Sequence, residues 1–326
     1  MAMKRAVGLD IGGSWIRAAL GDQEGRILKR SVRRVARGSP DRFVSQVICI
    51  IKEICGGDFG EVEGIGIGAA GRLDIRKGSL EFSPHASLKS VPLKDAIEAE
   101  FRRPAVVLND CVAAAVAEGA VGAGRGMGNL AYVGIGTGIG SGIMVDGRVL
   151  LGKDGNAHEV GHMIIDLEGR LRCNCGGLGH WEAYTSGSGI PKFARYLSEG
   201  FSGVSRLAET LKGGGGERIE AKEIFSAAYG GDPFAKLVIE RAAEINAKAF
   251  ANIVNMYDPE TITVGGGLAL KNPSLTVDPV AQALPRLCFN APPRVMTTPL
   301  GEDAPLVGAL LSAFGSVRSK VIPQLG

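Results

Sequence analysis

The chain has 326 residues, 45% of them hydrophobic and 22% charged, with a net charge of +3. That is long enough for two modest domains with their own cores, and the balance excludes a disordered chain and a globally basic nucleic-acid binder. With no apolar run of spanning length and no charged-then-apolar leader, a cytoplasmic protein with no membrane partner is expected.

In chain order, the first readable unit is R-A-V-G-L-D-I-G-G-S-W-I-R-A-A-L-G-D-Q-E-G-R-I-L-K-R. It predicts a strand ending at Asp10, a glycine turn at Gly12 and Gly13, a strand from Trp15 to Leu20, a turn at Glu24-Gly25 and a third strand. The basic run Lys29 to Arg37 reads as a solvated edge strand whose charges discourage edge pairing, so no nucleic-acid partner is expected. Gly66-Ile67-Gly68-Ala69-Ala70-Gly71 follows a strand-like segment, Val62 to Ile65, and has the G-x-G-x-x-G spacing of dinucleotide-binding proteins. That fingerprint needs a helix to start within the glycines, whereas R-L-D-I-R-K-G-S-L-E-F-S-P alternates like a hairpin. A backbone loop approaching a small ligand is expected there instead.

Ala105 to Leu108 predicts a short buried strand, and an alanine-rich helix should run from about Cys111 to Glu118. Asn109 and Asp110 fall at the junction, where one suffices as N-cap and the other is left to face a ligand. The opening plan then returns in N-L-A-Y-V-G-I-G-T-G-I-G-S-G-I-M-V-D-G-R-V-L-L-G. A strand leads to Gly136-Thr137-Gly138, a second runs through Met144, Asp146-Gly147 turns, and Arg148 to Leu151 go back. This duplicated strand-turn-strand-turn-strand unit suggests a two-lobed α/β protein with a cleft between the lobes. Each glycine turn lets backbone N–H groups approach an anion, with Ser14 or Thr137 adding a hydroxyl, so the pair suits a polyphosphate.

Three of the chain's four histidines lie between His158 and His180, beside a Cys-x-Cys pair. His162, Cys173, Cys175 and His180 supply the four nitrogen and sulfur ligands of a closed zinc site. His158-Glu159-Val160-Gly161-His162 also matches H-E-x-x-H, but Gly155, Gly161 and the cysteines predict an irregular loop where a metalloprotease needs a regular helix. Glu159 and His162, three apart, share a face, leaving His158 pointing elsewhere. Cys49, Cys55, Cys111 and Cys288 read as plain thiols. The run Lys212 to Glu217 reads as a surface loop. Asp232-Pro233 should cap a long helix burying Phe234, Leu237, Val238, Ala242, Ile245, Ala249, Ile253 and Met256.

Taken together, the motifs resemble the ROK family of sugar kinases and related repressors over nearly the whole chain. D-I-G-G-S-W-I-R-A-A-L resembles the family's first phosphate motif, with Ser14 where threonine is commoner, and G-I-G-T-G-I-G-S-G-I-M-V-D-G-R-V-L-L-G followed by H-E-V-G-H its signature. N-I-V-N-M-Y-D-P-E-T-I-T-V-G-G-G-L-A, which contains Gly266 and Gly267, resembles its adenosine segment, and L-G-E-D-A-P-L-V-G-A-L-L its closing helix.

The resemblance implies an actin-like, ribonuclease-H-like ATPase fold. Residues 1–112, completed by a C-terminal helix at about 305–326, would form a small lobe, and 113–304 a large lobe carrying the zinc-type loop. It implies that ATP with Mg²⁺ phosphorylates the 6-hydroxyl of a hexose, with Asp110 as general base and Gly71, Asn109, Asp110, Glu159, His162 and Glu182 lining the sugar. Asp10, Gly12, Gly13, Ser14, Gly136, Thr137, Gly138, Gly266 and Gly267 would serve the nucleotide. His162 would touch the sugar with one ring nitrogen and a structural zinc with the other, and His180 stands where relatives usually carry a third cysteine. The alternatives are an N-acetylhexosamine kinase or fructokinase of the same family, given the small loop residues Gly68 to Gly71 and His85, and a sugar-sensing repressor. Family repressors carry a helix-turn-helix domain before the first phosphate motif, where only a few residues precede Asp10, so the enzyme is expected. A homodimer is left open.

Overall fold

The computed structural model describes residues 4–36, 38–83, 88–213 and 219–325, so His85, Arg37 and most of the Lys212 to Glu217 run lie outside the described residues. The chain forms two compact units, one made of Met1–Tyr132, Gly142–His158 and Thr298–Gly326, the other of Val133–Ser141 and Glu159–Thr297. Against the lobes expected from the sequence, the first unit also holds 113–132, 142–158 and 298–304.

The first sheet has the order β3-β2-β1-β4-β8, built from β1 Arg5–Ile11, β2 Trp15–Asp22, β3 Ile27–Arg34, β4 Val62–Ala69 and β8 Ala105–Asn109. β1 to β3 are an antiparallel meander, and β4 and β8 add in parallel. The basic strand β3 is the edge strand and mostly exposed, as its charges require. β5 Arg72–Asp74, β6 Ser79–Ser83 and β7 Leu88–Val91 form a small antiparallel sheet, confirming a hairpin after the glycine run and excluding a dinucleotide fingerprint.

Three glycines in this unit, Gly8, Gly66 and Gly308, make room for helix packing. The closing helix Ala304–Ser312 lies on β1 and β4 so closely that a Cβ on Gly66 would overlap the Ala309 carbonyl, and one on Gly8 would come 2.7 Å from Leu310 N. Gly66 therefore serves packing inside a strand, which corrects the expectation that this part of the run approaches a ligand. Gly308 likewise lets the closing helix meet the alanine-rich helix Asp110–Val121 at Ala113. Burying Val112 to Ala117 there contributes the apolar stabilisation that small side chains allow only at short range.

The second five-stranded sheet has the order β11-β10-β9-β12-β13, with β9 Leu130–Ile135, β10 Ile139–Val145, β11 Arg148–Val149, β12 Thr261–Gly265 and β13 Arg294–Thr297. It repeats the plan of the first, and Asp146 and Gly147, at φ 50° and 72°, make the tight turn pairing Val145 with Arg148. The long helix Pro233–Tyr257 is capped by Asp232, which accepts from Ala235 N. It buries Phe234, Val238, Ala242, Ala249 and Ile253, but Met256 is 64% exposed, on the same side of the last turns as the exposed Asn252 and Asn255, while Val254 is buried.

Candidate functional site

In the first unit, strand register assembles the site. Asp10 pairs with Gly68, Gly68 with Leu108, and Ala69 with Asn109, so the carboxyl ends of β1, β4 and β8 finish level. Ligands collect at such an edge. Ala70 N donates to Ile11 O at 2.9 Å, and Gly71 follows at φ 133°, where a Cβ would strike the Phe82 carbonyl. Of the two polar residues at the junction, Asn109 is the N-cap: its Oδ1 accepts from Cys111 N at 2.8 Å and Val112 N at 3.3 Å. Asp110 begins the helix, with Oδ1 2.9 Å from Cys111 N. Desolvation pushes its carboxyl above the usual carboxylate range, against the pull of the Cys111 N–H and Arg17.

Asp10 is buried, and its Oδ2 lies 2.9 Å from Arg17 Nε. Burial still outweighs the arginine and, with Asp110 and Asp303 nearby, raises Asp10 to about 7. Arg17 also donates to the Glu302 carbonyl at 2.8 Å. The sequence reading missed Arg17, although the turn after Asp10 makes the two direct cross-strand partners on one face.

The two glycine turns share a detail. Gly12 N donates to Trp15 O at 3.0 Å and Gly136 N to Gly138 O at 2.9 Å, so the first glycine of each closes its own turn. The N–H groups of Gly12 and Gly136, expected to meet an anion, are thus already bonded within their turns, while Ser14 and Thr137 are exposed. Yet a Cβ on Gly12 would meet only Trp15 O at 3.5 Å, and one on Gly136 only Gly267 N at 3.9 Å. The fold does not demand glycine at either position, so a bare backbone there suits a ligand. Gly266 is different: at φ 83° its Cβ would strike the Ile135 backbone, so it is a packing residue.

In the second unit, ligand atoms of His162, Cys173, Cys175 and His180 all lie within 4.8 Å of one another. His162 Nδ1 is 3.8 Å from Cys173 Sγ, and His180 Nδ1 is 3.3 Å from Cys175 Sγ. Two thiols and two imidazoles on a tetrahedron of zinc bond lengths stand about 3.5 Å apart, so the donor set fits zinc. His162 closes the 3₁₀ turn Val160–His162 and turns its other nitrogen, Nε2, to Glu159 Oε2 at 3.5 Å. Burial pushes the Cys173 thiol up to about 12, so metal binding there must release a proton. His158 is outside the cluster: its Nε2 meets Gly155 O at 2.9 Å, and burial lowers it to about 4. The H-E-x-x-H string is thus no zincin pair. Glu182 is tied inward, with Oε2 accepting from Ile139 N at 2.8 Å and Oε1 3.5 Å from Cys173 Sγ.

This chain is similar to known proteins along almost its full length. The glucokinase of Aeropyrum pernix is 34% identical over 96% of this chain and 97% of its own. The ROK family glucokinase from Streptomyces griseus, solved with glucose and AMPPNP, is 32% identical with a TM-score of 0.78, over 95% of this chain and 99% of that one. The ROK hexokinase from Thermus thermophilus is 29% identical with a TM-score of 0.83, over 97% of this chain and 99% of that one. The architecture is accordingly the actin-like ATPase fold of these kinases. With the family's sequence pattern matched from residue 6 to residue 314, the chain belongs to the ROK family.

Proposed function

We propose that this protein is an ATP-dependent hexose kinase that phosphorylates the 6-hydroxyl, with Asp110 as general base. The observation that carries this reading is the placement of Asp110. It is a carboxylate at the carboxyl edge of β8, held by its own helix N-terminus, level with Asp10 and the first glycine turn, with its proton affinity raised by burial, which favours a base. The sugar kinases to which the chain is similar support the reaction class.

Asp110 takes the proton from the 6-hydroxyl as that oxygen attacks the γ-phosphorus of ATP; the bond to the β-γ bridging oxygen breaks and ADP leaves with Mg²⁺, which arrives as part of the nucleotide substrate. Most of the acceleration is positioning and electrostatic stabilisation. Gly13, Ser14, Thr137 and Gly138 are the phosphate contacts in this reading, and Gly71, Asn109, Glu159, His162 and Glu182 contact the sugar. Asn109 would use Nδ2, because its Oδ1 is committed to the helix. Zinc on His162, Cys173, Cys175 and His180 would fix the His162 ring and do no chemistry. Glu159 beside Nε2 supports that ring orientation. Glucose is the first acceptor to test, with mannose, fructose and the N-acetylhexosamines as alternatives. A coupled ADP-release assay over these sugars checks the proposal. Turnover on none of them, in protein that still binds Mg·ATP, contradicts it.

A further inference from the structure

The metal loop and the second glycine turn are joined by two separate sets of contacts, all within the second unit. In the first, the Glu182 carboxylate reaches both ways: Oε1 to Cys173 Sγ at 3.5 Å, Oε2 to Ile139 N at 2.8 Å directly after the turn. It lies so close over the turn that a Cβ on Gly138 would come 2.5 Å from Oε2, so glycine there makes room for this carboxylate. In the second, Asn174, the residue between the two cysteines, donates from Nδ2 to Ser188 Oγ at 3.2 Å. Lys192 Nζ holds the other end of the Asn174 amide, donating to Oδ1 at 2.7 Å. The Ser188 backbone N–H donates to Thr137 O at 3.1 Å, and Gly187 N to Gly136 O at 2.7 Å.

We propose that the metal loop is a brace for the phosphate turn, so that zinc at the cluster and nucleotide phosphates at Gly136 to Gly138 bind with positive coupling, with Glu182 and Asn174 as positioning residues. This rests on reading that turn as phosphate-binding. Whatever fixes Cys173 also fixes its neighbour Asn174 and the carboxylate beside it. These set the Ile139 N–H and the Thr137 carbonyl, and hence the shape of the turn between them. Loss of metal then loosens the turn, and the entropy of ordering it falls on the nucleotide. Glu182 accordingly does more than contact sugar.

Coupling is reciprocal, which gives a readout independent of turnover. Full-length protein, without sugar, is titrated with zinc to equilibrium against a chromogenic chelator, and the zinc dissociation constant is measured with and without saturating Mg·ADP. Calorimetry on the same sample measures ADP binding. Mg·ADP is expected to lower the zinc dissociation constant by about fivefold or more, the lower range of measured couplings. In Asn174→Ala, which leaves all four metal donors in place, that ratio should fall toward one, and likewise in Glu182→Ala if that variant holds zinc. Equal zinc dissociation constants with and without bound ADP, or an undiminished ratio in Asn174→Ala, overturn the brace and leave the kinase reading standing. Failure of ADP to bind at all overturns both.

Discussion

If Asp110 is the base, as proposed, Asp10 and Asp110 should set the acid side of the pH profile. Each carboxyl is pushed up by desolvation and each is pulled down by Arg17. Activity that needs ionised Asp110 should therefore fall off above the ordinary carboxylate range. Arg17→Ala removes a positive charge from both acids, and its acid limb should move to higher pH, with Arg17→Lys restoring part of the shift. An unchanged profile in Arg17→Ala, measured as kcat/KM against pH, would show that the arginine only holds strands together. Stability should respond in the opposite sense to ionisation. A folded-state pKa above the unfolded one means the native protein holds its proton longer, so the stability that neutral Asp10 permits is complete below about 3.8 and is lost as pH rises toward about 7. Relative to the parent, Asp10→Asn should gain in thermal stability between pH 4 and pH 7, as denaturation at the two pH values would reveal.

Glycines in strands and turns divide by what surrounds them. Gly66→Ala sets a methyl group into the backbone of the closing helix and should cost about 1–3 kcal/mol or more, a fall of several degrees in Tm. Gly136→Ala meets only Gly267 N at 3.9 Å, so its Tm should hold while KM for ATP rises. If Gly136→Ala leaves KM for ATP unchanged, the turn is a hairpin and nothing more. Both duplicated meanders were legible in the sequence because turn residues are local: Asp146-Gly147 specifies a tight hairpin whatever lies around it. The junction at Asn109 and Asp110 was legible for the same reason, though which of them caps the helix was not, since both types suit an N-cap. Packing partners distant in sequence were not legible. Nothing local marks Gly66 as the seat of Ala309, and no spacing rule joins Asn174 to Ser188 and Thr137. Met256 failed as core because helical periodicity gives the centre of the apolar face but not its width, and Met256 lies at the exposed margin beside the buried Ile253 and Val254.

At the scale of the whole molecule, the two sheets repeat one plan and carry different equipment. The first brings Asp10, Gly71, Asn109 and Asp110 to one edge, and the second continues into a loop whose four donors fit zinc. Among the described residues no helix is long and apolar enough to cross a membrane. Metal removal should affect binding more than chemistry. In chelator-treated protein, hexose KM should rise and Tm should fall by several degrees, while kcat at saturating sugar changes less; a collapse of kcat alone would mean the metal takes part in the reaction. The central claim is that Asp110 is the base of a hexose kinase. The measurement that tests it most directly is single-turnover phosphorylation of glucose by the parent and by Asp110→Asn, with glucose affinity measured alongside. The account predicts transfer slowed by about 10²–10⁴-fold in the variant with glucose affinity nearly kept. Transfer at the parent rate by a variant that binds glucose would contradict it.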